Sequence, residues 1–587
     1  MSKHKLAVFI ALVCLVFSFI ATLAFADGPN SSPVKVQISA YGSNEKSQRG
    51  LFTTDFIVPL YYPQDKNTLV FFNPKYTYTT PDADEINQGI GLRHIFNDSF
   101  ILGINTFFDR RLAHSGKWYS QAGLGLEYLS HPLDVRLNWY KPLTRNKTID
   151  TTYGFGSTSL IQYDNKEEPL QGLDFEAGVP VFDKYTKTRL YLGGFFYQSR
   201  LSKDVNGFRS RTETSLTNWL SLDTTFKSKT DGQTEFYGGA RVILPFEWTK
   251  LFRKKSKQES SVPVASNSYL EDRIFDRVVR DIDIQSKSST NQSKAHDLTY
   301  VDSSNNGTED GSYAHPYKTI QNGVNNATGD KWVYVRKGND YNELVTLTNS
   351  VTLWGAGYNG GFNGITATQN PVLDGTGLAA GSDNLTLGNN NTVMGLTIQT
   401  GQLHNIHVND KTGDVIKYNT IQNATASGIL LEDSSNVTIE HNTLSSNGDT
   451  GIDIEGTATG KNISNIVIQN NTISSNVVQG MVIETVAGSI SNIVIQNNII
   501  ASNVTAGLFI GNFGTGVSVD IGGGSSGSRG YNSIYSNNVG ADQIWNNVSG
   551  TTAKYNWWGT ATPTNALVYD TTATAVSYTP YLTSDPN

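Results

Sequence analysis

The chain has 587 residues, of which 38% are hydrophobic and only 17% are charged, with 55 Gly against 17 Pro. This length allows about three or four domains, and the low charge argues against a disordered or coiled-coil protein. The formal net charge of -7 suggests no basic face for nucleic acid. A single Cys excludes a disulfide scaffold and any Cys-ligated zinc or iron–sulfur site.

The N-terminus has the pattern of an export signal. Basic residues between positions 3 and 5 precede a long apolar stretch, and Ala24-Phe25-Ala26 follows it. A basic region, an apolar region and an A-x-A site together predict a signal peptide over residues 1–26, cleaved between Ala26 and Asp27. A retained N-terminal membrane anchor is the alternative.

The distribution of Phe divides the rest of the chain. Seventeen Phe lie between Phe52 and Phe246, whereas three occur after residue 295, where Asn, Thr, Ser, Gly and Ile dominate. The polar stretch between the two compositions marks a domain boundary. We therefore predict one domain over residues 27–250, a linker with a short charged helix over 251–295, and a second domain over 296–587.

The first domain shows period-two alternation. Residues 122–128, 134–139, 174–179 and 236–246 each alternate apolar side chains with polar, charged or glycine positions, which places the two sets on opposite faces of strands. Each segment has about the length that a tilted membrane strand needs. At about 16–18 residues per strand and turn, Tyr41 to Trp248 predicts about twelve strands of a transmembrane antiparallel barrel. A soluble β-sandwich would also alternate and is the competing interpretation.

Five blocks in this domain carry a family resemblance: Gly89–Phe96, Leu102–Asp109, Gly123–Glu127, Leu137–Pro142 and Glu168–Asp174. In this order they resemble the barrel of the inverse autotransporters of the intimin/invasin family, over nearly the whole first domain. The resemblance implies a twelve-stranded outer-membrane barrel in contact with lipid, which anchors a C-terminal passenger outside the cell. It also implies barrel-assembly machinery and periplasmic chaperones as partners, and secretion of the passenger through its own barrel.

The segment Tyr269–Ile284 resembles the piece that joins barrel and passenger in that family. Leu270, Ile274 and Val278 recur at helical spacing, with charged residues around them. A helix with so many charges suits a wet pore better than lipid, so a pore plug is one prediction. An ordinary interdomain helix is the other.

The second domain repeats itself. Asn419, Asn442, Asn471 and Asn498 are each followed nine residues later by Gly, and they are separated by 23, 29 and 27 residues. A fixed motif at variable spacing is typical of a β-solenoid whose loops differ in length. Asn at the turns tolerates left-handed backbone, and its stacked side chains can hydrogen-bond along the column. The prediction is a parallel β-helix.

The ends of this domain carry a second resemblance. Asp310–Ser312, Pro316–Ile320, Val333–Val335 and Leu353–Gly355 look like the entry coils, and Tyr555–Gly559 like the closing coil, of the pectate-lyase-like right-handed parallel β-helix superfamily. At some 25 residues per coil, we expect roughly eleven coils.

Many members of that superfamily degrade polysaccharides, but the catalytic pattern is not recognisable here. Arg336 and Arg529 are the only arginines after residue 295, and neither Asn-Thr-Asp nor Asp-Asp occurs there. His404, His407 and His441 show no metal-ligand spacing. We therefore expect no catalytic residues, no metal site and no cofactor.

One pattern remains as a candidate site. Glu432, Glu455 and Glu484 each follow the Gly of their unit by four residues, so consecutive coils should align them, with Asp453 close by. This column could hold a cation or act as an acid/base pair with raised pKa values. A solvated acidic strip is the alternative.

Together these observations predict an all-β outer-membrane protein. The barrel displays the β-helix at the cell surface for adhesion or for contact with a host or cell-surface glycan or protein, without nucleic acid. The alternative functions are a surface-tethered polysaccharide lyase or hydrolase and a soluble periplasmic protein.

Overall fold

The structure is a computed structural model that describes residues 34–44, 50–80, 83–182, 187–246, 269–281, 283–511, 517–540, 542–564, 567–570 and 576–587. The predicted signal peptide, with its Ala26–Asp27 cleavage site, and residues 251–268 of the predicted linker lie outside these residues. The chain forms two compact units. The first extends to Asp150 and continues over Asp164–Asn291, and the second comprises Thr151–Tyr163 and Gln292–Asn587.

The first unit is a closed barrel of twelve antiparallel strands, which confirms the predicted fold of this domain. Its strands are β1 (Val34–Ser43), β2 (Gly50–Tyr61), β3 (Thr68–Thr79), β4 (Ala83–Phe96), β5 (Phe100–Leu112), β6 (Trp118–Ser130), β7 (Asp134–Pro142), β10 (Gln171–Phe182), β11 (Lys187–Gln198), β12 (Val205–Ser215), β13 (Leu220–Lys229) and β14 (Thr234–Phe246). The hairpin β8 (Lys147–Phe155) and β9 (Ser159–Pro169) lies between β7 and β10 in sequence. Neighbouring strands pair in the order of the chain, and β1 closes the barrel against β14.

The two faces of the barrel wall follow the alternation in the sequence. In β10, Phe175 is 43% exposed, whereas the flanking Asp174 and Glu176 are buried. The same holds in β6, where Leu124 and Leu126 point outward and Glu127 points into the lumen. Apolar outer and charged inner faces are what a lipid-embedded barrel requires. Among the described residues, no helix is long and apolar enough to span a bilayer.

The part of the predicted linker that begins at Tyr269 lies among the inward-facing side chains of the barrel. Only its first turn is helical, as α1 (Tyr269–Arg273), and the following residues are not helical, so the predicted helix is shorter than its spacing suggested. Three arginines of the segment form ion pairs with the wall: Arg273 with Asp134 at 2.8 Å, Arg277 with Glu213 at 2.5 Å and Arg280 with Asp109 at 2.7 Å.

The second unit contains a parallel β-solenoid, as predicted. Its elements are β15 (Ser286–Val301), α2 (Ile320–Asn325), β16 (Trp332–Val335), β17 (Val345–Thr346), β18 (Thr352–Gly355), β19 (Val372–Asp374), β20 (Leu385–Thr386), β21 (Thr392–Met394), β22 (Thr397–Gln399), β23 (Ile406–Asn409), β24 (Val415–Lys417), β25 (Thr420–Gln422), β26 (Ile429–Glu432), β27 (Thr438–Glu440), β28 (Thr443–Ser445), β29 (Ile452–Gly456), β30 (Asn462–Gln469), β31 (Thr472–Ser474), β32 (Gln479–Thr485), β33 (Ser489–Gln496), β34 (Ile499–Ala501), β35 (Ala506–Ile510), β36 (Val517–Gly522), β37 (Ser533–Tyr535), a 3₁₀ turn (Asn537–Gly540), β38 (Ile544–Asn546), β39 (Thr552–Ala553) and β40 (Val568–Asp570).

These strands form three sheets. The first runs β39-β36-β33-β30-β27-β24-β21-β18-β16-β15 and continues into β9 and β8; the second runs from β17 through β20, β23, β26, β29, β32, β35 and β38 to β40; the third runs from β19 through β22, β25, β28, β31 and β34 to β37. The third sheet has seven strands, so about seven coils of the described chain contribute to all three sheets. The expected eleven coils were too many, because α2 and the long loop between β18 and β19 occupy length that the estimate assigned to further coils.

Two kinds of side chain fill the solenoid. Apolar residues from the three sheets form one continuous core. A column of buried asparagines lies beside it: Asn419, Asn442, Asn471, Asn498 and Asn532 each hydrogen-bond to the next through their side-chain amides at 3.0–3.1 Å. This confirms the predicted asparagine column. The residue before each of these asparagines, and not the asparagine itself, has the left-handed backbone.

The tip of the β8–β9 hairpin packs within the second unit. Leu160 is fully buried in a cluster with Tyr300 and Trp354. The Tyr300 hydroxyl donates to the Gly156 carbonyl at 2.9 Å. The first coil of the solenoid is therefore covered by residues that lie between two barrel strands in the sequence.

Candidate functional site

The predicted carboxylate column lies on the outer face of the second sheet, the nine-stranded sheet from β17 to β40. In its strands, apolar residues such as Ile452 and Ile454 point into the core, so the residues between them point outward. Parallel pairing aligns Glu432 with Glu455 and Glu455 with Glu484. Adjacent strands are about 4.8 Å apart. We call these three glutamates the carboxylate row.

A second outward row runs parallel to the first, two residues earlier in each strand. It contains His407 in β23, Leu430 in β26 and Asp453 in β29, each paired with the next. Beyond Val482, the same row ends in Phe509, Trp545 and Tyr569.

These last three residues form an aromatic strip. The rings of Phe509 and Trp545 are 5.7 Å apart between centroids, and those of Trp545 and Tyr569 are 5.3 Å apart, both in edge-to-face geometry. Tyr569 is 49% exposed. Sequence reasoning missed this strip. The signal was available for Phe509 alone, which follows Gly507 by two residues, as Asp453 follows Gly451.

Burial and mutual repulsion perturb the carboxyl groups on this face. Burial, followed by the charges of Glu455, Glu484 and Asp449, raises the pKa of Asp453 to about 8. Burial and then a neighbouring glutamate also raise the pKa of Glu455 and of Glu484. Asp453 Oδ1 is buried and has no hydrogen-bond partner among the described residues. The face therefore holds several carboxyl groups whose pKa values are raised by burial and by one another.

Two histidines that looked scattered in the sequence meet on one aspartate. His404 Nδ1 lies 2.9 Å from Asp383 Oδ1, and His407 Nδ1 lies 2.8 Å from Asp383 Oδ2. The other ring nitrogen of His407 lies 3.4 Å from Glu432 Oε2, which joins this group to the carboxylate row. The spacing of these two histidines in the sequence gave no indication of this contact. His441 is separate and stacks on Tyr418 at 4.7 Å.

The alignment of neighbouring coils brings Asp383 close to the two histidines. Leu385 pairs with Ile406 and Thr386 with His407, so equal offsets before β20 and β23 bring Asp383 beside His404. Burial raises the pKa of Asp383, but the hydrogen bonds from both histidines outweigh burial and hold it well below its usual range. The hydrogen bond with Asp383 in turn raises the pKa of His407.

The arginines considered for lyase chemistry lie elsewhere. The Arg336 guanidinium stacks over the Tyr313 ring, 3.9 Å from its centroid, and donates to the Tyr313 carbonyl at 2.8 Å. The Arg529 backbone N–H donates to Gln496 on the first sheet. Neither residue contributes to the face that carries the carboxylate row.

Both parts of the chain match known families. Residues 31–198 match the model of the inverse autotransporter β-domain, and residues 303–564 match a family described as a protein of unknown function, DUF1565. The chain is 32% identical over 123 residues to the inverse autotransporter adhesin YeeJ of Escherichia coli K12, which covers 21% of this chain and 5% of that protein. It is 28% identical over 123 residues to a putative attaching and effacing protein homolog of the same strain, covering 21% of this chain and 36% of that protein.

Solved structures align with parts of the chain at low similarity. An alginate lyase from Paenibacillus sp. str. FPU-7 aligns with a TM-score of 0.31 and 15% identity, over 45% of this chain and 95% of that one. The β-domain of the Bordetella autotransporter BrkA aligns with a TM-score of 0.20 and 9% identity, over 36% of this chain and 98% of that one.

Proposed function

This chain belongs to the inverse autotransporters through its β-domain, and we propose that its passenger is an adhesin that contacts glycans. The barrel is embedded in the outer membrane and the passenger is displayed outside the cell. The name of the relative YeeJ, an inverse autotransporter adhesin, supports adhesion as the purpose of that display.

The observation that carries the glycan proposal is the outer face of the nine-stranded sheet. It presents the carboxylate row of Glu432, Glu455 and Glu484 beside the aromatic strip of Phe509, Trp545 and Tyr569. Aromatic rings bury the apolar faces of sugar rings, and carboxylates accept hydrogen bonds from sugar hydroxyls. The repeat between strands is about 4.8 Å, close to the length of one pyranose unit.

The charge on this face favours a neutral glycan. The three glutamates carry the same charge sign, so an acidic polysaccharide would meet like charge along the carboxylate row. The hydroxyls of a neutral chain can donate to the ionised carboxylates. The proposed ligand is therefore a neutral glycan that lies across several coils.

A binding experiment with the displayed protein tests this. Cells that carry the full chain are applied to an array of neutral and acidic glycans, and Trp545→Ala is compared with the wild type. Loss of the aromatic anchor should weaken retention of neutral glycans at least about tenfold. The matched control is Trp557→Ala, because Trp557 lies beside Tyr535 on the third sheet.

Two results would contradict the proposal. One is binding that Trp557→Ala weakens as much as Trp545→Ala does. The other is a wild type that retains acidic glycans only, or no glycan. Equal amounts of surface-exposed protein, measured by protease accessibility on intact cells, are required for each comparison.

A hydrolytic activity is the second candidate, and the carboxyl of Asp453 is the observation that favours it. Burial raises the pKa of Asp453 to about 8, and this carboxyl beside Glu455 resembles the acid and base pair of glycoside hydrolases. If the passenger is a hydrolase, it should release reducing ends from the bound glycan. Asp453→Asn and Glu455→Gln should each abolish that release and preserve binding. Retained release in both variants would reject the hydrolase.

A further inference from the structure

We propose that Asp383, His404 and His407 bind one divalent transition-metal ion on the outer face of the nine-stranded sheet. One ligand atom from each residue lies within 4.8 Å of the others. The side chains are 12–19% exposed, so an ion can reach them from solvent. The site borders the carboxylate row, and metal binding can be measured without any glycan.

The distances between the ligand atoms fit a coordination sphere. Zinc binds imidazole nitrogen and carboxylate oxygen at about 2.0–2.2 Å, so two ligands at right-angled to tetrahedral positions are about 3.0–3.5 Å apart. The two Nδ1 atoms lie 2.8 and 2.9 Å from the nearest Asp383 oxygens. The ligand atoms of the three residues lie within 4.8 Å of one another, so the two imidazoles would have to close around an ion that binds between them.

The surroundings of His407 are the second, separate observation. A neutral imidazole has one N–H, but His407 faces a carboxylate oxygen at both ring nitrogens, Asp383 on one side and Glu432 on the other. A doubly protonated ring satisfies both contacts, and so does a metal on Nδ1, because Nε2 then carries the proton and donates to Glu432. A carboxylate on the far nitrogen of a histidine ligand is the usual outer partner in metal sites.

Glu432 is itself held in position for this role. Its Oε2 accepts from Asn409 Nδ2 at 2.6 Å, and its Oε1 accepts from Thr457 Oγ1 at 2.9 Å. Glu432 is therefore a positioning residue, and the first member of the carboxylate row also completes the surroundings of the metal.

The ligand set selects the class of ion. Imidazole nitrogens suit zinc, copper and nickel, whereas calcium and magnesium prefer sites made of oxygen alone. Two histidines and one aspartate also leave one coordination position open for water or a ligand. Zinc is the appropriate probe, and cobalt is its spectroscopic substitute.

The test uses the full chain, purified in detergent and stripped of metal with a chelator. Zinc is titrated in competition with a chromogenic indicator, and cobalt is followed by its visible absorption. The expected result is one ion per chain, with an affinity reduced at least about tenfold in Asp383→Asn and in His407→Gln. Glu432→Gln should reduce the affinity by about ten- to a hundredfold, as outer partners do.

His441→Asn is the matched control, because His441 lies on the same solenoid and its left-handed backbone is compatible with Asn. It should bind zinc as the wild type does. The proposal is overturned if the wild type binds no zinc, or if Asp383→Asn and His407→Gln bind it unchanged. It is also overturned if His441→Asn loses as much affinity as they do. Circular dichroism and heat-modifiable gel migration identify any variant that has not folded. If a ligand variant has not folded, the cobalt spectrum of Glu432→Gln replaces that variant in the comparison with the wild type.

Discussion

The asparagine column makes a measurable contribution to the stability of the passenger, and Asn471→Ala tests it. The Asn471 side chain accepts from the backbone N–H and the amide of Asn442, and it donates to the Ile439 carbonyl and to the Asn498 side chain, at 2.9–3.1 Å. It is 1% exposed, so water cannot replace these partners. Alanine leaves the buried Asn442 N–H without its acceptor.

The magnitude follows from these four bonds. A buried donor without a partner costs about 1–3 kcal/mol, and each further lost hydrogen bond costs about 0.5–1.5 kcal/mol. After the substitution, the Asn442 side-chain amide still donates to the Ile416 carbonyl, and Asn498 Oδ1 still accepts from the backbone N–H of residue 471. The hydrogen bonds that these two side chains lose therefore cost an amount at the low end of that range. The free energy of unfolding should therefore fall by about 3 kcal/mol.

Gln469→Ala is the matched control in the same coil. Its side chain also belongs to a ladder, donating to Glu440 at 2.9 Å and accepting from Gln496 at 3.0 Å, but it lies on the surface, where water can replace both partners. It should cost about 0.5 kcal/mol or less.

Urea unfolding of the full chain in detergent, followed by tryptophan fluorescence, gives the stabilities, and hydrogen exchange of the peptide that contains Asn442 gives the local effect. The reasoning is refuted if Asn471→Ala destabilises no more than Gln469→Ala, or if the Asn442 amide stays protected.

Three further changes probe other parts of the molecule. The pKa of Asp453 is about 8 in the folded chain and about 3.9 in an unfolded one. The folded state therefore binds more protons between about pH 4 and 8, and the free energy of unfolding falls as pH rises. Asp453→Asn should flatten this dependence in urea titrations, and an unchanged slope would contradict it. Arg280→Ala removes the pair with Asp109 inside the barrel and should raise the single-channel conductance in planar bilayers; equal conductance would argue against a plug. Gly178→Ala would place a Cβ 2.1 Å from Cδ1 of Tyr191, so it should lower the temperature at which the barrel loses its compact gel mobility, and an unchanged temperature would show that the ring moves freely.

The barrel was predictable because lipid imposes a simple rule on every strand. Outward residues such as Leu124 and Phe175 must be apolar, and a wet interior accepts Glu127 or Asp174, so the alternation appears directly in the sequence. The position of α1 and the residues after it was harder to predict, since helical spacing of Leu270 and its neighbours says nothing about the charges that a lumen presents.

The solenoid was predictable where its repeats are regular. Counting from Gly451 and Gly480 gave the register of Glu455 and Glu484, because consecutive coils pair strand to strand. The aromatic strip could be found by the same count only at Phe509, which follows Gly507 by two residues. Its members differ in chemistry from Asp453, so similarity between units did not reveal them.

The histidine cluster could not be found in this way. Asp383 and His404 are 21 residues apart and lie before Asn419, where the recognisable units begin. Their meeting depends on the pairing of β20 with β23, and β20 has only two residues. A strand this short has no periodicity that a sequence could display.

Spacing along the chain also explains why a helix was expected within the linker. Arg273, Arg277 and Arg280 would share one face of a helix, at i, i+4 and i+7. Their carboxylate partners lie on three different strands, β7, β12 and β5, in separate parts of the barrel wall. A helix cannot direct one face to all three, so the chain leaves the helical conformation after Arg273.

These ion pairs determine the position of the segment in the barrel more than they contribute to its stability. Removing two charges from water costs nearly as much as their attraction returns, so a buried pair adds little net free energy. Losing one partner is different, because the remaining charge is buried and uncompensated at a cost of about 3–5 kcal/mol. If the segment lay in another register, several of these charges would be buried without an oppositely charged partner. The three arginines therefore select one position for the segment inside the barrel, which an apolar stripe of the same length would not do.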